Sequence, residues 1–182
     1  MDPMTTWIAL FRGINVGGRN VIRMADLKNS FRAHGFANVR TYIQSGNVVF
    51  ESKSRSRQST SKVIVDGIRK DFGVDAPVVI LAPADVRSAI ERNPFRSDAV
   101  DAKTLHYFFL TASVSDADFD SLERAKRDSE RFGLVDSVFY VHAPDGMAKS
   151  KLATKVESCL GVSATARNQR TVERMLALVE SG

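Results

Sequence analysis

Two β-rich runs, VRTYI and VVFES, lie either side of QSGN, which puts Gly46-Asn47 at the centre of a predicted tight hairpin. Glycine takes a positive φ cheaply and asparagine tolerates one, so the chain reverses here and the two runs pair antiparallel. The flanking sequence has to be compatible with that reversal. Residues 7–11, WIALF, form a short apolar run closed by Arg12-Gly13 and read as a buried strand. Met24, Leu27 and Phe31 then recur at helical spacing in RMADLKNSFRAHGF, where Gly35 supplies a C-terminal cap. Beyond the hairpin, SKSRSRQSTSK carries Lys53, Arg55, Arg57 and Lys62 among serines and has the composition of a flexible connector. Val65, Ile68 and Phe72 mark a second helix that Gly73 ends, and APVVILA is a fourth strand.

The order is therefore β-α-β-β-α-β, the ferredoxin-like plan. The second half partly repeats it. TLHYFFL is a strand, Phe119–Arg127 a helix, FGLV and VFYVH a hairpin around Asp136-Ser137, and Lys149–Leu160 another helix. NQRTVERMLALVE sets Val172, Met175, Leu176 and Val179 along one stripe of a last helix. Between the halves, PADVRSAIERNPF is a short helix stopped before Pro94, because a residue preceding proline avoids helical geometry. The predicted class is α+β, with two subdomains of βαββαβ type. The first spans residues 4–82, a connecting helix and loop 83–99, and the second 100–182 with an extra C-terminal helix.

A chain of 182 residues, 43% hydrophobic and 26% charged, is ordinary for a globular protein and can bury its own core. Its single cysteine, Cys159, excludes an intrachain disulfide and a zinc site built on several thiolates, and reads as a small buried hydrophobe. The opening MDPMTTWIALF lacks a basic leader followed by a long apolar segment, and Met4 is a candidate natural initiator after an upstream Met1–Pro3. No apolar run approaches the roughly 20 residues that span a bilayer. The expectation is a cytoplasmic protein with no membrane partner. A net charge of +5 favours anionic partners through long-range attraction, although a solvated basic surface accounts for the same charge.

The stretch LFRGINVGGRN concentrates glycine, arginine and asparagine directly after the first strand. In a β-α-β-β-α-β sheet the loop leaving strand one and the hairpin joining strands two and three emerge at the same end. Arg12–Asn20 and Gln44–Asn47 are thus predicted neighbours, bringing Arg12, Asn15, Gly17, Gly18, Arg19, Asn20, Ser45, Gly46 and Asn47 to one rim. Glycines admit close approach of backbone N–H groups to an anion, and arginine closes on phosphate with two parallel hydrogen bonds. Two readings stand: an anion-holding rim, or glycines that only bend the chain between strand and helix.

Familiar motifs are absent. GINVGG has neither the G-x-G-x-x-G order nor a terminal Lys-Ser/Thr, and DGMAKSK lacks the first P-loop glycine, leaving Lys149, Ser150 and Lys151 as a secondary anion contact. RNA-recognition modules of this plan place several aromatics on strand three, where this chain has only Phe50. His34, His106 and His142 are scattered singly, and no metal motif or nucleophile elbow occurs. Asp26, Asp85, Asp118 and Asp120 read as helix-start or solvent residues. No cofactor is called for.

ALFRGINVGGRN, MADL, GFANVRTYIQSGNVVF, the mid-chain NPF, DGMAKSKL and TARNQRTVERML together resemble an uncharacterised bacterial family, domain of unknown function number 1697, over about Thr6 to Val179. The resemblance implies an α+β fold with two ferredoxin-like subdomains and brings no established activity. It adds Arg167 and Asn168 as candidates, either completing the basic rim or capping the final helix. Gln169 stands where that family commonly has tryptophan, which removes an aromatic that would stack on a ligand. The resulting expectation is a module for a phosphate-bearing small molecule or nucleic acid. The alternatives are an enzyme acting on a small anionic metabolite at the same rim, or a scaffold without a ligand.

Overall fold

The computed structural model describes residues 3–181, so Met1 and Asp2 of the candidate upstream start lie outside the described residues. Two compact units divide the chain. One runs to Arg87 and also takes the chain from Arg174 onward; the other is Ser88–Glu173.

The first unit contains β1 (Thr5–Phe11), α1 (Met24–Ala33), β2 (Ala37–Tyr42), β3 (Asn47–Ser52), α2 (Arg57–Phe72), β4 (Val78–Leu81) and the start of α3 (Pro83–Glu91). Its four strands form an antiparallel sheet in the order β2-β3-β1-β4. The core is aromatic. Phe31 and Phe36 meet Phe50 with ring centroids 5.2 and 4.9 Å apart in edge-on geometry, each such pair worth about 0.5–1.5 kcal/mol beyond its buried area. Phe50 is thereby enclosed in the core.

The helices α1 and α2 are clamped at one point. Asp71 accepts the Ser30 hydroxyl at 2.6 Å and lies 3.0 Å from His34 Nε2. At Gly67 a Cβ would stand 2.7 Å from the His34 ring, so only glycine lets α2 pass there.

Two local expectations are corrected. The Ser- and basic-rich stretch is no connector beyond Ser56, because α2 starts at Arg57. Ser56 Oγ accepts the Ser59 N–H at 3.2 Å, and a side-chain oxygen that satisfies a first-turn donor starts a helix where composition alone suggests a loop. The hairpin is also wider than a Gly46-Asn47 turn. Tyr42 pairs with Asn47 across a four-residue loop whose positive-φ residues are Ile43 and Gly46, while Asn47 opens β3.

The second unit repeats the pattern with β5 (Leu105–Leu110), α4 (Phe119–Ala125), β6 (Arg131–Val135), β7 (Val138–His142), α5 (Lys151–Leu160), β8 (Ala164–Asn168) and the first turns of α6 (Gln169–Glu180). Its strands order as β6-β7-β5-β8, again antiparallel. Asp136-Ser137 is a two-residue hairpin loop with Asp136 at φ 52°. The strand β8 has only a weak sequence signal, two small alanines alternating with Thr165 and Arg167, and it is extended because β5 pairs with it from Leu110–Ala164 to His106–Asn168. Phe139, Leu122, Leu152 and Val156 are fully buried, and Cys159 packs with them as a small hydrophobe. Asp118 and Ser150 cap α4 and α5, accepting the Ser121 and Ala153 N–H groups at 2.9 and 3.0 Å. The α+β class is thus present, as two four-stranded sheets and six helices among the described residues. No helix among them is long and apolar enough to cross a membrane.

Candidate functional site

The strand register carries the two loops to one end of the first sheet. Leu10 of β1 lies opposite Asn47 of β3, and the Phe11 N–H donates to the Gly46 carbonyl at 2.9 Å. Asn15 joins the loops. Its Nδ2 donates to the carbonyls of Ile22 and Gln44 at 2.9 and 2.7 Å, while its Oδ1 accepts the Ile22 N–H at 2.8 Å. Ile14 next to it is driven into the core, 1% exposed. Gly46 makes that possible, since a Cβ there would stand 2.5 Å from Ile14 Cδ1 and 2.8 Å from Phe11 Cβ.

Between Val16 and Arg19 the chain makes a miniature hairpin, with the Arg19 N–H on the Val16 carbonyl at 3.0 Å. Gly17 and Gly18 sit at φ 57° and 73°, the pair of left-handed positions that a tight primed turn demands. A Cβ at either would meet open space. Asn20, also left-handed, donates through Nδ2 to the Gly13 carbonyl at 2.9 Å.

The candidates therefore separate by what their side chains already do. Asn15 and Asn20 fasten the loop, and fully buried Asn47 donates to the Tyr42 carbonyl and Ser45 Oγ at 3.1 and 3.2 Å. Arg12 and Arg19 are exposed on the surface of the rim, and Ser45 is half-buried. Arg167 and Asn168 lie in β8 of the second unit. Arg167 donates to the Ala166 carbonyl at 2.8 Å, and burial lowers its guanidinium to about 10. Asn168 Oδ1 accepts the Thr171 N–H at 2.9 Å, the capping role for the last helix. Ser150, from the secondary anion contact, is likewise buried and spent on its cap.

The histidines form no catalytic relay. Ser30 donates to Asp71 rather than to His34, so the trio lacks the hydroxyl-to-imidazole bond of a Ser-His-Asp arrangement and serves as a helix clamp. His106 and His142 are both shifted down by burial. No cluster of metal-ligating side chains occurs among the described residues.

Three further residues belong to the rim and went unrecognised in the sequence. Val16, Val21 and Ile43 are 62%, 70% and 52% exposed. Each is adjacent in sequence to a group of the Asn15 junction: to Asn15 itself, Ile22 and Gln44. Ile43 is also a β-branched residue at φ 48°, a conformation costing on the order of 1–3 kcal/mol. The only sequence signal was three apolar side chains inside otherwise polar turns. Ile43 was masked because it reads as the last residue of a strand.

A family model described as a protein of unknown function, DUF1697, matches residues 4–140. The chain belongs to this family. Both loops of the rim fall inside the DUF1697 match, whereas Arg167 and Asn168 fall beyond it. Among solved structures, the conserved bacterial protein SP0830 from Streptococcus pneumoniae is similar, with a TM-score of 0.72 and 22% identity. The likeness covers 97% of this chain and 99% of that one, which establishes a shared fold. Comparison with curated proteins gives no match.

Proposed function

We propose that the rim of this DUF1697 protein binds a phosphate-bearing ligand, a nucleotide or a nucleic-acid strand. Arg12 and Arg19 hold the phosphate, and Val16, Val21 and Ile43 lie against base or sugar. The observation that carries this reading is the Asn15 junction, which leaves two exposed arginines and three exposed apolar side chains on loops tied together. Guanidinium groups supply bidentate phosphate contacts. Exposed apolar side chains serve the uncharged part of such a ligand better than they serve water. The open space beside Gly17 and Gly18 allows the ligand to approach the backbone. Asn15, Asn20, Gly46 and Asn47 act as the frame, with Ser45 at its margin.

The strand order β2-β3-β1-β4 and its repeat in β6-β7-β5-β8 support a ferredoxin-like reading of both units. A cytoplasmic setting accords with a single buried cysteine.

A thermal-shift panel of mono-, di- and triphosphate nucleosides, with fluorescently labelled oligonucleotides in parallel, tests the proposal. Ligand at about 100 times its dissociation constant adds roughly 2.7 kcal/mol of stability. Oligonucleotide affinity should fall with salt at a logarithmic slope of about 0.7 per single-strand phosphate neutralised. The variants Arg12→Ala and Arg19→Ala should each weaken the hit. A panel without a stabilising ligand, or variants that bind like the parent, would overturn the proposal.

A further inference from the structure

Among the described residues the sheets end on four outer strands, β2 and β4 in the first unit and β6 and β8 in the second. An outer strand offers unpaired N–H and C=O groups, and native chains blunt it with a bulge, a charge or a cover. Here β2 is broken by a register shift between Ala37 and Arg40. Ile80 and Leu81 of β4 are buried, as are Ala164 and Thr165 of β8. The strand β6, RFGLV, differs. Its register with β7 is unbroken, none of its 5 residues is buried, and its one charge, Arg131, stands at the end.

The far side of β7 shows which backbone groups of β6 face outward. Flanking β7, the Leu110 N–H donates to the Ser137 carbonyl at 3.0 Å and the Ala143 N–H to the Thr104 carbonyl at 2.9 Å. Odd-numbered residues of β7 therefore turn to β5. Bonding direction alternates along an antiparallel strand, so Val138, Tyr140 and His142 turn to β6. Their register partners are Val135, Gly133 and Arg131. Phe132 and Leu134 are left with both N–H and C=O groups directed away from the sheet.

That row is complementary to itself. With a second copy laid antiparallel and Gly133 on the two-fold axis, Phe132 of each copy faces Leu134 of the other, and every outward group gains a partner. Gly133 then faces itself in the closely spaced kind of pair, about 4.5 Å between Cα atoms, with no side chain to crowd it. Phe132 and Leu134 share the face that packs on the core of the unit. Phe119 stacks beside Phe132, ring centroids 6.5 Å apart and planes 3° from parallel. At 43% exposure, Phe119 is the sole exposed large apolar side chain among the described residues of this unit. The ends of the strand also match in charge. Arg131 is paired with Asp98 at one end and Asp136 with Arg92 at the other, so reversing the second copy sets cation beside anion.

We propose that β6 is a self-association edge, across which a second copy of this chain joins two four-stranded sheets into one continuous sheet. An isologous contact of this kind closes on itself and gives a dimer rather than a fibre. It uses no residue of the rim.

Sedimentation equilibrium of the full chain across micromolar to millimolar concentration, with amide hydrogen exchange followed by NMR at both extremes, tests the proposal. A reversible dimer is expected. The Phe132 and Leu134 amides should be protected in the concentrated sample and lose that protection on dilution. Those of Gly133 and Val135 should stay protected in both, since they bond to β7. Leu134→Pro removes an outward donor from each copy while sparing the ladder to β7, and should weaken the dimer about tenfold. Phe119→Ser leaves the whole backbone ladder in place, should weaken the dimer as well, and serves if the proline variant does not fold. A monomer at every concentration, exchange at Phe132 and Leu134 that ignores dilution, or folded variants that dimerise like the parent would overturn the proposal.

Discussion

Gly46 and Gly17 both adopt positive φ, yet their surroundings differ. At Gly46 an added methyl collides with Ile14 and Phe11, whereas at Gly17 it meets open space. Gly46→Ala should therefore destabilise by about 2–4 kcal/mol, combining backbone strain with overpacking. Gly17→Ala should cost only about 1 kcal/mol, the strain alone. Urea denaturation of the two variants checks the difference, and equal losses would mean that Ile14 does not anchor the loop. His106 offers a second residue-scale test. Its Nδ1 is buried and meets no hydrogen-bond partner among the described residues, and burial lowers its pKa below the ordinary value of 6.5. The unfolded chain thus takes up the proton first as pH falls. The contribution of neutral His106 is complete above pH 6.5 and declines as pH drops toward the lowered folded value. His106→Gln should flatten stability against pH across that window.

At the scale of elements, side-chain oxygens set where helices begin. Ser56 caps α2, and Ser56→Ala should cost about 0.5–2 kcal/mol, read as a lower urea midpoint with an unchanged slope. The α1–α2 clamp adds acid sensitivity. The Ser30 hydroxyl and then His34 hold Asp71 below the usual carboxylate range. A depressed carboxylate stabilises above its unfolded pKa and loses that contribution as pH falls through the folded value. Ser30→Ala should therefore reduce stability at neutral pH and narrow its loss in acid. These hydroxyls also explain why the serine-rich stretch misled a reading by composition. Serine favours loops and helix starts alike, and only the backbone N–H that it meets decides which.

For the whole molecule, the first unit depends on chain that is distant in sequence. The residues from Arg174 onward belong to the first unit, where Arg87 pairs with Glu180 at 3.2 Å and Arg40 donates to the Leu178 carbonyl. The single tryptophan, Trp7, lies in that unit and is buried. Truncation after Glu173 should lower the thermal midpoint followed by Trp7 fluorescence, by about 1–3 kcal/mol in stability. An unchanged midpoint would show that the C-terminal segment contributes nothing there. Much of the fold was legible beforehand because its signals are local: WIALF is uniformly apolar, α1 has helical spacing, and Asp136-Ser137 has turn chemistry. The meeting of the Arg12–Asn20 and Gln44–Asn47 loops was legible too, since strand direction alone fixes which ends coincide. By itself the sequence determined most of the elements, their order and that shared end. Tertiary structure decided the rest: that ATARN is a strand, that Asn15 fastens the two loops together, that Ile43 stands exposed, and that Gln169 has a buried acceptor. The physical reason is that a side chain's role depends on which polar atoms it meets across the fold, and those partners are remote in the chain.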